Sequence, residues 1–379
     1  TYDGSSWTAI TDSNVSAADR GGSGTTTAAI NWGGLGPSAT TETWDGSAWT
    51  EVGDLSANVY GMGQGSSGAS NTSTISSAGQ AGPSFLAGTE IWDHTSTLAA
   101  GAWASGGTLN NTGRFAGTFG TQTASLIGSR RTGPSGSSNT SEEYDGSSWT
   151  EGNDQNTARG YGAGFGTQTA GAVVGGSGPN DECEEYDGTN WTESGDINTP
   201  RYFAANGAVG TQTAGIAFGG NSTGKVDDTE TYDGSTWTEV ADLNTARSHN
   251  AGAGATNTAA LSIGGSSPSI VAIVESWDGS SWTEIADCNT SRIGHGGFGT
   301  QTSALTYGGE TPSMTTNTEE WDGTAWAEVA NLATARQGLG SSGATAQLGV
   351  AAGGNPASAN STDATEEWTQ GQNIKTIAD

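Results

Sequence analysis

Carboxylates recur in this chain at two fixed places, and their spacing decides which chemistry to weigh first. Glu42, Glu142, Glu184, Glu230, Glu275 and Glu319 each stand two residues before an aromatic residue. Glu51, Glu151, Glu193, Glu239, Glu284 and Glu328 each stand two residues after a tryptophan. Paired carboxylates can hydrolyse glycosides, but that reaction needs two acids in unlike surroundings. These acids repeat alike, which is the pattern of structure rather than of one active site. If the two sets face each other across a hairpin, like charges oppose and something must neutralise them. Arg159, Arg201, Arg247, Arg292 and Arg336, with Arg114 and Arg20, recur once per unit. An arginine bridging the carboxylates is the first expectation. Ca²⁺ held between the glutamates is the alternative, since it favours oxygen ligands; no other cofactor or metal is implied. No phosphate loop, nucleophile–base pair or zinc spacing is present.

The elements that must position these residues are set by a repeated motif, Tyr/Trp-Asp-Gly-x-x-Trp. It begins intact at Tyr2, Trp44, Tyr144, Tyr186, Tyr232, Trp277 and Trp321, and in degraded form at Trp92 and Trp368. Successive starts lie 42, 48, 52, 42, 46, 45, 44 and 47 residues apart. A period in the forties with paired aromatics and glycines marks the blade of a β-propeller. Within one unit, Tyr161–Gly166 predicts a small-residue strand and Thr167-Gln168-Thr169 a polar turn. Ala170–Val174 predicts an apolar strand stopped by Gly175-Gly176, and Cys183–Tyr186 and Trp191–Glu193 predict a hairpin around Asp187-Gly188. Asp-Gly is a strong hairpin signal because glycine tolerates the positive φ of the turn. Phe119, Phe165, Val209 and Phe298 share one position in the first strand, flanked by Gly or Thr. Large residues on one face and small ones on the other let radial blades interdigitate.

Eight glycine-rich strand pairs, starting near Ala18, Val59, Phe115, Tyr161, Phe203, Asn250, Gly296 and Gly338, predict an all-β propeller of eight four-stranded antiparallel blades, with seven as the alternative count. The expected organisation is one domain over residues 1–379. The N-terminal hairpin (1–15) closes the ring, and a C-terminal hairpin (361–379) is left as an accessory or partner contact.

A formal charge of −29 excludes nucleic-acid binding through phosphate neutralisation and disfavours an anionic membrane surface. Such a charge suits solubility in saline water, where screening weakens self-repulsion. No apolar run is long enough to cross a membrane, and no signal peptide is read at Thr1. Cys183 and Cys288 occupy different places in the repeat and give no sign of a disulfide or metal pair.

The units resemble kelch repeats, with an apolar strand ending in a glycine pair, as at Gly219-Gly220 and Gly264-Gly265, then an aromatic, then Trp. Gly166-Thr167-Gln168-Thr169-Ala170 and Glu184-Glu185-Tyr186-Asp187-Gly188 are similar to kelch-like repeat proteins of aquatic bacteriophages. The resemblance implies a non-enzymatic virion or extracellular module: a tail or fibre component or host-adsorption protein. The alternatives are a secreted adhesin or carbohydrate-binding protein, and a glycosidase. Implied partners are other virion or surface proteins, a second copy of the chain, or cell-surface glycans. Any ligand is expected on the face carrying the variable loops, near Asn180, Asn221, Lys225, Ser269, Thr311 and Asn317. His249 and His295, with Tyr161 or Tyr202, resemble part of the copper site of galactose oxidase, another kelch propeller. Neither cysteine lies in a first strand, so metal-oxidase chemistry is not expected.

Overall fold

The computed structural model describes residues 101–132, 136–203 and 206–370, and within the first hundred residues 9, 11–16, 18–24, 29–35, 38–44, 47–52, 55, 63–65, 73–81 and 84–93. The chain divides into two compact units, Ala100–Gly371 and Thr1–Ala99 with Gln372–Asp379.

The described residues of the larger unit form six four-stranded antiparallel sheets, the blades of a propeller. With strands lettered a to d from the axis outward, blade 2 comprises Ala163–Thr167, Ala170–Val174, Cys183–Tyr186 and Trp191–Glu193. Blade 1 runs from Gly117 to Glu151, blade 3 from Ala208 to Glu239, blade 4 from Ala251 to Glu284 and blade 5 from Gly296 to Val329. Blade 6 takes its strands a to c from Gly340–Thr345, Leu348–Ala352 and Thr365–Thr369. Its d strand is Ala102–Ser105, from the other end of the unit, with Trp103 opposite Trp368. Strand a of blade 6 lies beside strand a of blade 1, so the ring closes on itself.

Three sequence expectations are thereby corrected. The ring holds six blades, because the strand pairs near Ala18 and Val59 belong to the other unit. Ala102–Ser105 closes it, in place of residues 1–15. Residues 365–369 are strand c of the last blade rather than an accessory hairpin. The degraded motifs at Trp92–Trp103 and Trp368 mislead because the chain crosses a unit boundary between Trp92 and Trp103. Trp103 and Trp368 then make one cross-strand pair from two distant segments. Of the expected terminal hairpins, residues 1–8 and 10 and residues 371–379 lie outside the described residues.

In the smaller unit, Gly21–Gly24, Ala29–Trp32, Thr41–Trp44 and Trp49–Val52 form one four-stranded sheet of the same pattern. Gly63–Gly65, Ser73–Ala81 and Ser84–Asp93 form a three-stranded one. Among the described residues no helix is long and apolar enough to cross a membrane.

The blades pack as the alternation of large and small residues requires. Phe119 of blade 1 lies over Gly171 of blade 2, where an added Cβ would stand 2.1 Å from the ring. Phe165 covers Gly215 of blade 3 and Phe298 covers Gly349 of blade 6 in the same way. The hairpin aromatics pair directly across strands: Tyr186–Trp191 at 4.9 Å and Tyr232–Trp237 at 4.9 Å between ring centroids. Such pairs add about 0.5–1.5 kcal/mol beyond the area they bury. Gly188 sits at φ 93°, and the Asp187 carboxylate accepts from the backbone N–H groups of Thr189 and Asn190, closing the turn.

The polar turn between strands a and b joins neighbouring blades. Gln168 donates to the carbonyls of Ser125 (3.0 Å) and Tyr144 (2.9 Å) of blade 1. Gln212 does the same to Gly171 (3.1 Å) and Tyr186 (3.2 Å) of blade 2. Gln122 donates to the Trp368 carbonyl at 2.9 Å, fastening blade 1 to blade 6 where the ring closes.

Candidate functional site

Each blade buries one glutamate of strand c, and the chain entering that blade is wired to it. In blade 2 the Glu184 carboxylate is fully buried. It accepts from the backbone N–H of Asn156 (2.7 Å) and Thr157 (3.2 Å), from Asn156 Nδ2 (3.0 Å) and from the Arg159 guanidinium. Blade 3 repeats this with Asn198, Thr199 and Arg201 on Glu230, and blade 4 pairs Asn244 and Arg247 with Glu275. Blade 5 pairs Asn289, Thr290 and Arg292 with Glu319. In blade 6, Arg336 and the Ala333 N–H bind Glu366, whose degraded motif hides it from repeat counting. In the smaller unit Arg20 and Asn14 bind Glu42; burial raises that carboxyl, but the hydrogen bonds from Arg20 and Asn14 outweigh it and leave the group below its ordinary range.

Blade 1 carries the hub with two residues exchanged. Gly113 stands where the other blades have arginine, and Arg130, after strand b, supplies the guanidinium to Glu142 at 2.7 Å. The exchange is sterically complementary. A Cβ at Gly113 would lie 2.5 Å from Arg130 Cδ, and in blade 2 a Cβ at Gly176 would lie 3.1 Å from Arg159 Cβ. Arg114, expected in the charge network, is not the hub arginine; its guanidinium lies 5.7 Å from the centroid of the Phe115 ring. The sequence reasoning also missed the asparagines, although Asn-Thr-x-Arg at 156–159, 198–201, 244–247 and 289–292 carried the signal.

The glutamates do face one another in register, as Glu184 with Glu193 and Glu230 with Glu239. Glu193 and Glu239, however, are exposed, so only one carboxylate per pair needs an internal partner. The hub does not fit Ca²⁺. Its carboxylate oxygens are surrounded by N–H donors and a guanidinium, which repel a cation. Among the described residues no group of three or more His, Cys, Asp or Glu is placed to hold a metal. Cys183 and Cys288 are buried free thiols, and burial pushes the Cys183 thiol up to about 12.

A different arrangement lies where the a strands begin. Phe115, Tyr161, Phe203, His249, Gly294 and Gly338 occupy equivalent positions in blades 1 to 6. Backbone N–H groups link neighbours: Phe115 to Gly338, Tyr161 to Phe115 and Phe203 to Tyr161, then Gly294 to His249 and Gly338 to Gly294, at 2.6–3.1 Å. This mouth ring stands just before the a strands, whose residues line a narrow axial cavity of about 70 Å³. Five of its positions have positive φ: Phe115 50°, Tyr161 61°, His249 62°, Gly294 59° and Gly338 64°. Glycine meets that demand freely in blades 5 and 6. Phe115, Tyr161 and His249 meet it with large side chains, at a cost of about 1–3 kcal/mol each.

Tyr161 and His249, but not Phe115, also line a second cavity, about 310 Å³ in volume, together with Arg131, Ser177, Gly178 and Tyr202. Tyr161 stacks between Phe115 (4.7 Å) and Tyr202 (5.5 Å). The Arg131 guanidinium lies 5.0 Å from the Tyr161 centroid and donates to its hydroxyl at 3.0 Å. Burial and then Lys225 hold the His249 imidazole below its ordinary range, so it is neutral near pH 7. His295 is buried away from this cavity, and burial holds it well below the ordinary range too.

None of the six loop residues expected to bind ligand lines this cavity. Asn180 caps its own loop, accepting from the Glu182 N–H at 2.7 Å. Asn221 bridges Tyr202 and Lys225, and Lys225 reaches Ser266 Oγ at 2.6 Å. The Asn317 carbonyl accepts from Arg292 at 2.8 Å, so it serves the blade 5 hub. Ser269 is an exposed hairpin tip, and Thr311 is half-buried in a short two-residue strand.

No protein-family model and no curated protein matches the sequence. The chain is similar in structure to YjhT, a kelch-repeat β-propeller protein, with a TM-score of 0.56 and 13% identity over 70% of this chain and 97% of that one.

Proposed function

We propose that this chain is a non-catalytic interaction module, displayed on a phage virion as a tail or fibre component that contacts the host surface. The observation that carries this reading is the aromatic cavity at the mouth of the ring. Its residues depart from the repeat, whereas the recurring strand-c glutamates are each held in a structural hub. A concave site with stacked tyrosines and a few convergent polar groups suits a small ligand better than a catalytic dyad. The charge of −29 suits display in saline water.

Mass spectrometry of purified virions from the native source, with gold-labelled antibody imaging, tests the reading. Peptides in the particle fraction and label on the tail are expected. Peptides found only in the soluble fraction would point to a secreted adhesin. Release of reducing sugar from a glycan panel would contradict the non-catalytic assignment.

A further inference from the structure

In three consecutive blades one packing position is filled by three different residues. Asn250 of blade 4, His295 of blade 5 and Leu339 of blade 6 each follow the mouth residue and cover the first glycine of the preceding blade's pair. A Cβ added at Gly219, Gly264 or Gly308 would stand 3.1, 2.9 or 3.0 Å from Asn250 Oδ1, His295 Cε1 or Leu339 Cδ1 respectively. All three side chains are buried. Leu339 needs no hydrogen bond, and Asn250 Nδ2 donates to Ser262 Oγ at 3.2 Å. His295 is 1% exposed, and neither of its ring nitrogens has a hydrogen-bond partner. A polar ring without partners is costly to bury, and its cation far more so. Blade 6 fills the same position with leucine, so the imidazole is not a requirement of packing.

The histidine stands where the mouth ring is weakest. Among the described residues no backbone hydrogen bond joins Phe203 to His249, although the other neighbours in the ring are linked. The mouth residue of blade 4 is therefore tied to the ring through one link, from the Gly294 N–H to the His249 carbonyl at 3.1 Å. His295 is the next residue after that donor. The charged and titratable groups that act on it are the Arg292 guanidinium, itself paired to Glu319, and the His249 imidazole. Lys225 acts on His249 in turn. Each of these cationic or protonatable groups opposes a proton on a neighbouring ring.

We infer that His295 is an acid-operated latch on the mouth: neutral, it seals the seam between blades 4 and 5, and protonated, it drives that seam apart and frees His249 from the ring. Burial, then Arg292, hold the closed-state imidazole well below its ordinary 6.5; the Ile263 carbonyl favours the cation but is outweighed, and His249 adds to the opposition. Opening lets water solvate the ring. A group depressed in the closed form stabilises that form above its ordinary value, and the contribution is lost as pH falls below it. Each proton taken up on opening raises the opening constant about tenfold per pH unit. Burial and then Lys225 also depress His249, so it adds a second such factor when it leaves the ring. His249 lines the aromatic cavity, and opening the latch removes that part of its wall. The latch works alike in a particle-bound and a free chain.

The experiment is amide hydrogen exchange of the full chain at about pH 7, 6 and 5, read as protection factors so that the pH dependence of the chemical step is removed. The Gly294 amide should lose protection by about tenfold or more per pH unit below about 6.5. The Tyr161 amide makes the equivalent link to Phe115, with no histidine beside it, and should keep its protection. That contrast needs only the unaltered chain. His295→Leu, the residue of blade 6, should make the fall at Gly294 about tenfold per pH unit shallower. His295→Asn, the residue of blade 4, should do the same and serves where the leucine variant does not fold. Constant protection at Gly294, an equal fall at Gly294 and Tyr161, or a fall that neither variant alters would each overturn the latch.

Discussion

The glutamate hubs and the mouth ring lie in the same blades, yet they obey opposite rules. The hub recurs in every blade, and where blade 1 changes the arginine it also changes the residue that must make room. The mouth ring recurs only in its backbone: three positions carry aromatic side chains in a left-handed conformation that glycine fills elsewhere. Periodic residues with compensated exceptions are under structural constraint. Residues that break the period at a conformational cost mark places where the repeat alone does not set the side chain. The contrast separates scaffold from site without any catalytic motif.

The largest expected effect comes from breaking a hub. Arg247→Ala leaves Glu275 buried and without its charge partner, and should cost about 3–5 kcal/mol, read as a lower denaturation midpoint. A loss under 1 kcal/mol would mean the hubs are not what holds the blades. EDTA should leave the melting curve unchanged, since N–H donors already occupy the hub oxygens.

The exchange in blade 1 sharpens the same point. Arg130→Gly should destabilise about as much as Arg247→Ala, whereas Gly113→Arg alone should cost about 1–3 kcal/mol through crowding. Together the two changes recreate the hub of blade 2, and most of the loss should be recovered. Additive losses would show that the arginine position is not interchangeable. Next in size is the staple at ring closure. Gln122→Ala removes a buried hydrogen bond between blades 1 and 6 and should cost about 1–2 kcal/mol in thermal unfolding.

The smallest effect concerns acid. Hydrogen bonds from the backbone N–H of Ser148, then the Ser147 hydroxyl and N–H, hold the Asp145 carboxyl at about 2, below its unfolded value of 3.8. A depressed carboxyl contributes stability above the unfolded value and loses it as pH falls through the folded one. Carbon NMR titration should place Asp145 near 2, and a value near 3.8 would show the turn open in solution.

The blade itself was legible in the sequence, because the Asp-Gly turn, the paired aromatics and the Phe/Gly alternation each have a local physical cause. The register that opposes Glu184 to Glu193 followed from the turn length alone. Blade number was not legible. Which strands meet to close a ring depends on contacts between Ala102–Ser105 and Thr365–Thr369, far apart in sequence and both in degraded motifs. The recurring arginines were visible, but the swap of Arg130 for Gly113 required the fold to place two loops together. The cavity was hidden for a related reason. Tyr161, Tyr202 and His249 stand out in the chain only through a partial resemblance to a copper site, and it takes the positive φ at two of them and the proximity of Arg131 to mark the cavity. Variable loops drew the eye to Ser269 and Asn317, whereas the site lies at the starts of the a strands.

The most direct test of the division between scaffold and site is the unfolding free energy of Tyr161→Gly beside that of Arg247→Ala. Relief of the left-handed strain at position 161 offsets the lost ring stacking and the added flexibility of glycine, so a change within about 1 kcal/mol is predicted. A loss as large as that of Arg247→Ala would contradict the account, because Tyr161 would then belong to the scaffold.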